Sequence, residues 1–425
     1  MSASKTSTDV AERIPPAVAD LARHVAEAGG RAYLVGGSVR DALLERQSKD
    51  LDVEVFGMPV DALETLLRRL GRVNAVGRSF GVLKWRPRGD RTLGELDVSI
   101  PRRDSSVGPG HRGIAVEGDP DMTLDEAVRR RDLTINAILF DVERGELVDP
   151  SGGLDDLEAG ILRAVDATTF LEDPLRALRV VQFAARLGFE PDEPLVALCI
   201  EAALDELPAE RIQGEWCKLL LKGQHQALGL DLAARTRVLH RVFPAWSDPS
   251  PGPLLDALIP ARDAIHAEDD PKAEGRAWSL MLTGWLAGAS RDVVEGVLDR
   301  LWLHRIAGYP VRDRVHAAVA HLADPIATDA DLRRLSTVAE VDTVLSVRTA
   351  QGDPQGPAAR AMAQRLDVLH RKPPPLVQGR DIKAWMPPGP AMGRVLAGVY
   401  AAQLDGDVST PEEATELARA LADGA

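Results

Sequence analysis

The segment Leu34-Val35-Gly36-Gly37-Ser38-Val39-Arg40-Asp41, followed by Lys49-Asp50-Leu51-Asp52-Val53-Glu54-Val55-Phe56, restricts the fold more than any other part of this chain. An apolar run at 32–35 ends in a glycine pair, and a helix-forming stretch at 39–46 follows. Alternate side chains of a strand share a face. Asp50, Asp52 and Glu54 are therefore expected on one side, and Leu51, Val53 and Val55 on the other. The apolar side predicts a core contact. The acidic side is expected to stay open beside a Gly-Gly turn that starts a helix, where N–H groups are available to phosphate oxygens. Two carboxylates beside such a turn suit a pair of Mg²⁺ ions that carry a nucleotide into a displacement reaction. Taken alone, the strand reads equally well as a solvent-facing acidic edge.

The chain has 425 residues, enough for two to four domains with their own cores. No apolar stretch is long enough to span a membrane. Residues 1–15 read as a polar, disordered leader without the apolar core of a signal peptide. Cys199 and Cys217 lack metal-ligand spacing, which predicts a reducing, cytoplasmic compartment. A net charge of −14 argues against indiscriminate binding to nucleic acid. It leaves room for a local basic groove, because arginines cluster at 102–103, 129–131 and 176–186.

Up to about residue 165, strand and helix patterns alternate. Helices are expected at 16–28, 39–45 and 60–70, and strands at 32–35, 51–56, 82–85 and 95–100. In the last strand, Glu95, Asp97 and Ser99 share one face, which makes Asp97 a third candidate carboxylate. Residues 101–122 carry little periodicity and read as a long loop. Thr123 and Glu126 form a capping-box pattern ahead of the next helix. After about residue 166 the strand signals stop. Asp173-Pro174 reads as an N-cap with proline at the first helical position. Helical patterns continue to the end, so the expected class is α+β: a head at 16–165 with a small mixed or antiparallel sheet, then an all-α neck at 166–245 and a body and tail at 246–425.

Four motifs follow in order: Gly36-Gly37-x-Val39-Arg40-Asp41 with Asp50-x-Asp52; Arg130-Arg131-Asp132-x-x-x-Asn136-Ala137; Glu172-Asp173-Pro174-Leu175-Arg176; and Glu210-Arg211-Ile212 with Glu215. Together they resemble the class II tRNA nucleotidyltransferases, the CCA-adding enzymes, and their bacterial poly(A) polymerase relatives, within the DNA polymerase beta-like superfamily. The resemblance spans about residues 30–222, with a weaker echo at Gly379-Arg380-Asp381 and Pro388 to Gly393. Each motif alone is weak; four in sequence are specific.

The resemblance implies an enzyme that adds CCA, or part of it, to tRNA 3′ ends from CTP and ATP with Mg²⁺. Asp50 and Asp52 would hold the metal, and Asp97 would bind metal or take the proton of the attacking hydroxyl. Gly36 and Gly37 would admit phosphates, and Arg40 would contact the nucleotide or fix the turn by pairing with Asp41. Arg131, Asp132 and Asn136 would grip triphosphate and ribose; a solvated helix face is the alternative for the arginine run. Asp173 and Arg176 would serve as a protein template. A carboxylate beside a guanidinium accepts from the amino group and donates to the ring nitrogen of cytosine or adenine, and mismatches guanine and uracil. Without the resemblance, Asp173 reads as an ordinary cap and Arg176 as a partner of Glu172. Arg179 shares the template face and would reach phosphates. Glu210, Arg211 and Glu215 would buttress the template helix. The 101–122 segment matches a loop that lets CCA-adding members switch to ATP.

One departure stands out. Long bacterial relatives carry a phosphohydrolase domain marked by a His-Asp dipeptide, which occurs nowhere in this chain. No phosphatase activity is therefore expected of the helical half, which is expected to hold tRNA by shape and phosphate contacts. The competing readings are a poly(A) polymerase, a CC-only or A-only enzyme, a catalytically inactive RNA-binding protein, and a small-molecule nucleotidyltransferase. Oligomeric state is not legible from the sequence.

Overall fold

The computed structural model describes residues 7–46, 51–74, 82–89, 93–106, 114–246, 248 and 250–423, with backbone alone at 103–106 and 114–117. The chain divides into two compact units. The first comprises Met1–Val180, Gly188–Leu207 and Arg235–Val238; the second comprises Val181–Leu187, Pro208–Ala234 and Leu239–Ala425.

The first unit opens with α1 (Ser7–Ala11), α2 (Pro16–Glu27), β1 (Arg31–Val35), α3 (Gly37–Leu43), β2 (Asp52–Phe56) and α4 (Val60–Leu70). Next come β3 (Gly71–Asn74), β4 (Val82–Pro87), β5 (Leu96–Ser99), β6 (Arg102–Ser106), β7 (Ile114–Gly118) and α5 (Leu124–Arg129). A 3-10 turn at Thr134–Asn136 leads to β8 (Leu139–Asp141), β9 (Glu146–Val148), α6 (Gly153–Ala159), β10 (Ile161–Leu162), α7 (Ala167–Glu172), the start of α8 (Leu175–Leu187, of which Val181–Leu187 belongs to the second unit), β11 (Glu190–Pro191) and α9 (Glu193–Glu201). Thr123 and Glu126 form the expected capping box at the start of α5.

Seven strands make one mixed sheet in the order β3-β4-β5-β2-β1-β8-β9. Only β2 and β5 run parallel; the other neighbours are antiparallel. The register fixes the faces, because directly paired residues share a side. Leu34 pairs with Val53, Val53 with Val98, and Val98 with Leu83. These four are buried, as are Leu21 and Val25 of α2 and Leu63 and Leu67 of α4. Trp85, also on this side, donates from Nε1 to the Leu67 carbonyl at 3.2 Å.

The opposite face is covered as well, which corrects the expectation of an open acidic face. Tyr33, Val35, Phe56 and Leu139 form a second cluster with Met122, Ala127 and Val128. Val35 pairs with Asp52, Tyr33 with Glu54 and Arg31 with Phe56. Asp52, Glu54 and Phe56 thus lie in one row that runs from solvent into a core. Asp52 is exposed, whereas Glu54 is 1% exposed. The signal was present in the sequence: Phe56 shares the parity of the acids, so an apolar side chain ends their row.

The 101–122 segment is a second correction. β6 and β7 pair antiparallel from Arg102↔Gly118 to Ser106↔Ile114, a two-stranded ribbon rather than a loop. Arg-Arg-Asp-Ser-Ser has no alternating apolar residues, so periodicity is silent there. A further two-stranded pairing, β10 with β11, places a short strand at Glu190–Pro191, in the neck where only helix was expected.

The second unit is helical. It contains most of α10 (Ala209–Lys222), α11 (Gln226–Arg235), α12 (Val238–Val242), α13 (Gly252–His266) and α14 (Ala273–Trp285), and further helices reach Pro411–Asp423. Trp216, Phe243 and Trp285 interlock with ring centroids 4.8 to 5.3 Å apart. The segment without a His-Asp pair is therefore part of a helix packed into the core. A separate apolar cluster forms around Val377, Ile382, Val395, Val399 and Ala414. Cys199 and Cys217 are free thiols, and burial pushes their pKa values up to about 12 and about 11. Among the described residues no helix is long and apolar enough to cross a membrane.

Candidate active site

The site is built where β1 turns into α3, against the first residues of β2 and β5. Gly36 has φ 72° and ψ −134°, a conformation that strains any residue with a side chain. A Cβ placed there would lie 3.5 Å from Nη1 of Arg131 and 3.9 Å from Oδ2 of Asp52. Gly36, Arg131 and Asp52 are thus mutual neighbours. Asp52 is in register with Asp97 across the parallel β2/β5 pair, so both carboxylates project to the same side at the same level. Lys84 of β4 is the next residue in that row, and its Nζ lies 3.2 Å from Asp97 Oδ1.

Asp50 lies outside the described residues. Among the described residues there is no group of three or more His, Cys, Asp or Glu side chains that would hold a metal ion. Asp52, which is exposed, and Asp97, whose side chain is 43% exposed, nevertheless offer paired hard oxygen donors on adjacent strands, which is the donor chemistry Mg²⁺ takes.

Arg40 is 3% exposed and fully engaged in positioning. Its Nε and Nη2 donate to Oδ1 of Asp41, at 2.9 and 2.6 Å, and its Nη1 donates to Oδ1 of Asn136. Asn136 in turn donates from Nδ2 to Oδ1 of Asp132 at 2.9 Å. Asp132 also accepts from its neighbour Leu133 N–H and, through Oδ2, from Arg179 Nε at 2.6 Å. Burial opposes the charge on Asp132, but the Arg179 guanidinium and the bonds from Asn136 and Leu133 outweigh it and hold the carboxyl below its usual range. The chain Asp41–Arg40–Asn136–Asp132–Arg179 ties α3, the 3-10 turn and α8 into one polar network. The turn itself is fixed from behind: Thr134 donates its hydroxyl to Asp156 Oδ2 at 2.7 Å, and its N–H to the Arg163 carbonyl at 2.9 Å.

Arg129 of the arginine run is exposed, but the other two arginines do not lie on a solvated face. Arg130 and Arg131 converge on Glu54, Arg130 Nη2 on Oε1 and Arg131 Nη2 on Oε2 at 3.1 Å. The backbone of this run is held from the other side. Thr169 Oγ1 donates to the Arg129 carbonyl at 2.8 Å, and Arg176 donates to the carbonyls of Arg130 and Thr169 at 2.5 and 2.6 Å. Arg176 is therefore on backbone carbonyls, not on Glu172. Asp173 accepts from Leu175 N–H at 3.2 Å, the bond of an N-cap with Pro174 at the first position. Glu54 and Thr169 were not among the expected site residues. Nothing marks Thr169 in the sequence, whereas Glu54 was legible from the row it shares with Phe56.

Glu210, Arg211 and Glu215 lie on α10, in the other compact unit; Glu215 is buried and pairs with Lys218 at 2.7 Å.

Comparison with known proteins agrees with this architecture. Residues 32–163 match the poly A polymerase head domain family. A multifunctional CCA protein of Stenotrophomonas maltophilia is 38% identical over 252 residues, 56% of this chain and 56% of that protein. The chain thus spans little more than half the length of the first relatives it matches. A multifunctional CCA protein of Laribacter hongkongensis is 37% identical over 313 residues, 72% of this chain and 73% of that protein. In three dimensions the chain resembles the Bacillus stearothermophilus CCA-adding enzyme, solved in complex with CTP. The TM-score is 0.74 with 25% identity, covering 97% of this chain and all of that one. With the head-domain match, the relative aligned over most of both lengths and the shared α+β architecture all pointing one way, the chain belongs to the CCA-adding nucleotidyltransferase family.

Proposed function

We propose that the protein adds CCA, or part of it, to tRNA 3′ ends, taking CTP and ATP as substrates. The observation that carries this reading is the in-register Asp52–Asp97 pair beside Gly36 and Arg131. Asp52 and Asp97, with Asp50, would hold Mg²⁺. Bound there, the metal supplies a Lewis acid for the RNA 3′-hydroxyl and charge for the departing pyrophosphate.

The remaining chemistry belongs to the chain. Gly36 and Gly37 keep the turn free of Cβ atoms, so phosphate oxygens approach the backbone closely. Arg131 donates bidentate bonds to the triphosphate, and Arg179, with Nε on Asp132, adds positive charge for it. Asp132 and Asn136, locked by Arg40, read the ribose hydroxyls. Asp173 accepts from the exocyclic amino group of cytosine or adenine, and Arg176 donates to the adjacent ring nitrogen. The bonds to the Thr169 and Arg130 carbonyls use two of the five N–H groups of Arg176, so another can donate to the ring nitrogen. The helical unit would hold the tRNA.

The test is to offer tRNA ending at the discriminator base, at C or at CC, with CTP or ATP and Mg²⁺, and to size the products. Defined addition of CCA, CC or A supports the reading and tells full from partial addition. Long A-tails would instead make it a poly(A) polymerase, and the lack of any product would overturn transferase function.

A further inference from the structure

Glu54 has no role in the function just proposed, yet it is the most deeply buried carboxylate around the site, with 2% of its side chain reached by solvent. It sits two residues beyond Asp52 on the same face of β2. One strand therefore presents a solvent-facing carboxylate and, a step inward, a desolvated one. The buried carboxylate accepts from two guanidiniums, one per oxygen: Arg130 on Oε1 and Arg131 on Oε2. Two guanidiniums share this one carboxylate, and Nη1 of Arg131 is the arginine atom that faces Gly36.

Burying a carboxylate is costly unless donors satisfy it. A role confined to packing would be served as well by an apolar side chain, and the neighbouring Tyr33, Val35 and Phe56 show that this face accepts them. What the carboxylate adds is direction. The backbone of 129–131 is fixed by Thr169 and Arg176, so the long side chains of Arg130 and Arg131 are the remaining freedom. Glu54 removes it, and does so from the strand that carries Asp52.

We infer that Glu54 is a positioning residue that aims Arg131 at the phosphate-binding turn and separates it from Arg130. This inference rests on the nucleotide-binding role proposed above for Arg131. Without the carboxylate, two neighbouring guanidiniums repel and Arg131 loses its fixed fork, so nucleotide affinity falls while the acids that act on the RNA hydroxyl are untouched.

The experiment is a double-mutant cycle on the full chain, Glu54→Gln with Arg131→Lys, read by CTP affinity in calorimetry and by KM and kcat for CTP addition. Glu54→Gln keeps the shape and removes the charge. It is expected to weaken CTP binding about tenfold with kcat changed less than about threefold, and Glu54→Asp to recover part of that loss. Because Glu54 acts through Arg131, the double variant should bind no worse than Arg131→Lys alone. Additive losses, or a fall in kcat with unchanged affinity, would overturn the inference and leave the transferase reading standing. Wild-type protein that binds no CTP would overturn that reading, and this inference with it. Should Glu54→Gln fail to fold, Arg130→Gln tests the same link. It leaves Glu54 to Arg131 alone and is expected to keep CTP affinity within about threefold, and a loss as large as that of Arg131→Lys would count against the separation of the two arginines.

Discussion

Two buried arginines, one in each compact unit, show how the same local pattern serves different ends. Arg40 and Arg262 are 3% and 0% exposed, and each donates from Nε and Nη2 to the aspartate that follows it, Asp41 or Asp263. They part at Nη1. Arg40 gives it to the side chain of Asn136, and so joins a network that runs through Asp132 to Arg179. Arg262 gives it to the carbonyls of Leu220 and Gly223, at 3.1 and 2.6 Å, where α10 ends. A side-chain acceptor passes orientation on to the next group. A backbone carbonyl ends the chain by satisfying a helix terminus. In α13, Asp256 does the same for the start of α11, accepting from the N–H groups of Gln226 and Ala227. At these two arginines, buried polarity directs side chains in the head and closes helix ends in the helical unit.

That contrast predicts separable phenotypes. The largest effect belongs to the exposed end of the head's acidic row. Asp52→Ala should abolish nucleotide addition, by at least about a thousandfold, while the melting temperature stays put because an exposed side chain is removed. Residual activity near the wild-type level would show that the site lies elsewhere. Arg262→Ala should do the reverse. It leaves the Leu220 and Gly223 carbonyls to Gln226 Nε2 alone and opens a cavity in a dry interior, at a cost of about 3 kcal/mol, and should leave CTP affinity unchanged in whatever folds. A selective loss of CTP binding would erase the distinction drawn here. A smaller effect is expected from Arg176→Ala, which should loosen discrimination among the four nucleotides about tenfold while triphosphate binding changes less. An unchanged preference would refute its template role.

How much of this could be read in advance follows from where the determining contacts lie in the chain. Helix α4 at Val60–Leu70 and strand β5 at Leu96–Ser99 were legible, because periodicity reports which side of one element faces a core. So were the Asp52–Asp97 row, from matching alternation, and the Thr123 capping box, from a three-residue spacing. The burial of Glu54 was misread. Phe56 marks the inner end of the acidic row as apolar, but alternation does not show which layer covers it, and the covering residues, Met122, Ala127 and Val128, lie some seventy positions on. The ribbon of β6 and β7 was missed because its strands carry no apolar alternation in Arg102–Ser106. The acceptors of Arg176 are main-chain carbonyls, which have no signature in any sequence.

The finest distinction between the two networks is their response to acid. Asp132 has its pKa lowered from 3.8 in the folded chain, despite the opposing cost of burial, by Arg179 and the bonds from Asn136 and Leu133. A depressed folded value means that the carboxylate's contribution is fully present above the unfolded pKa and is lost as pH falls through the folded one. The stability gap between wild type and Asp132→Asn should therefore be constant from pH 7 to about pH 5 and close below about pH 4, with a slope no steeper than about 1.4 kcal/mol per pH unit. The gap between wild type and Arg262→Ala should narrow slightly between pH 7 and 5, because burial and then the Arg262 charge hold His266 below its usual range, and should stay level from pH 5 to 3.5, since the carbonyls of Leu220 and Gly223 do not titrate and the Asp263 side chain is half exposed, where an ion pair contributes little. Thermal melts of the three proteins at pH 7, 5 and 3.5 measure both gaps. If the Asp132 gap is unmoved by acid, the carboxylate is not what holds Arg179 and Asn136 together. If the Arg262 gap closes between pH 5 and 3.5 as well, the helical unit's arginine depends on a carboxylate partner, and the contrast between directing and capping arginines fails.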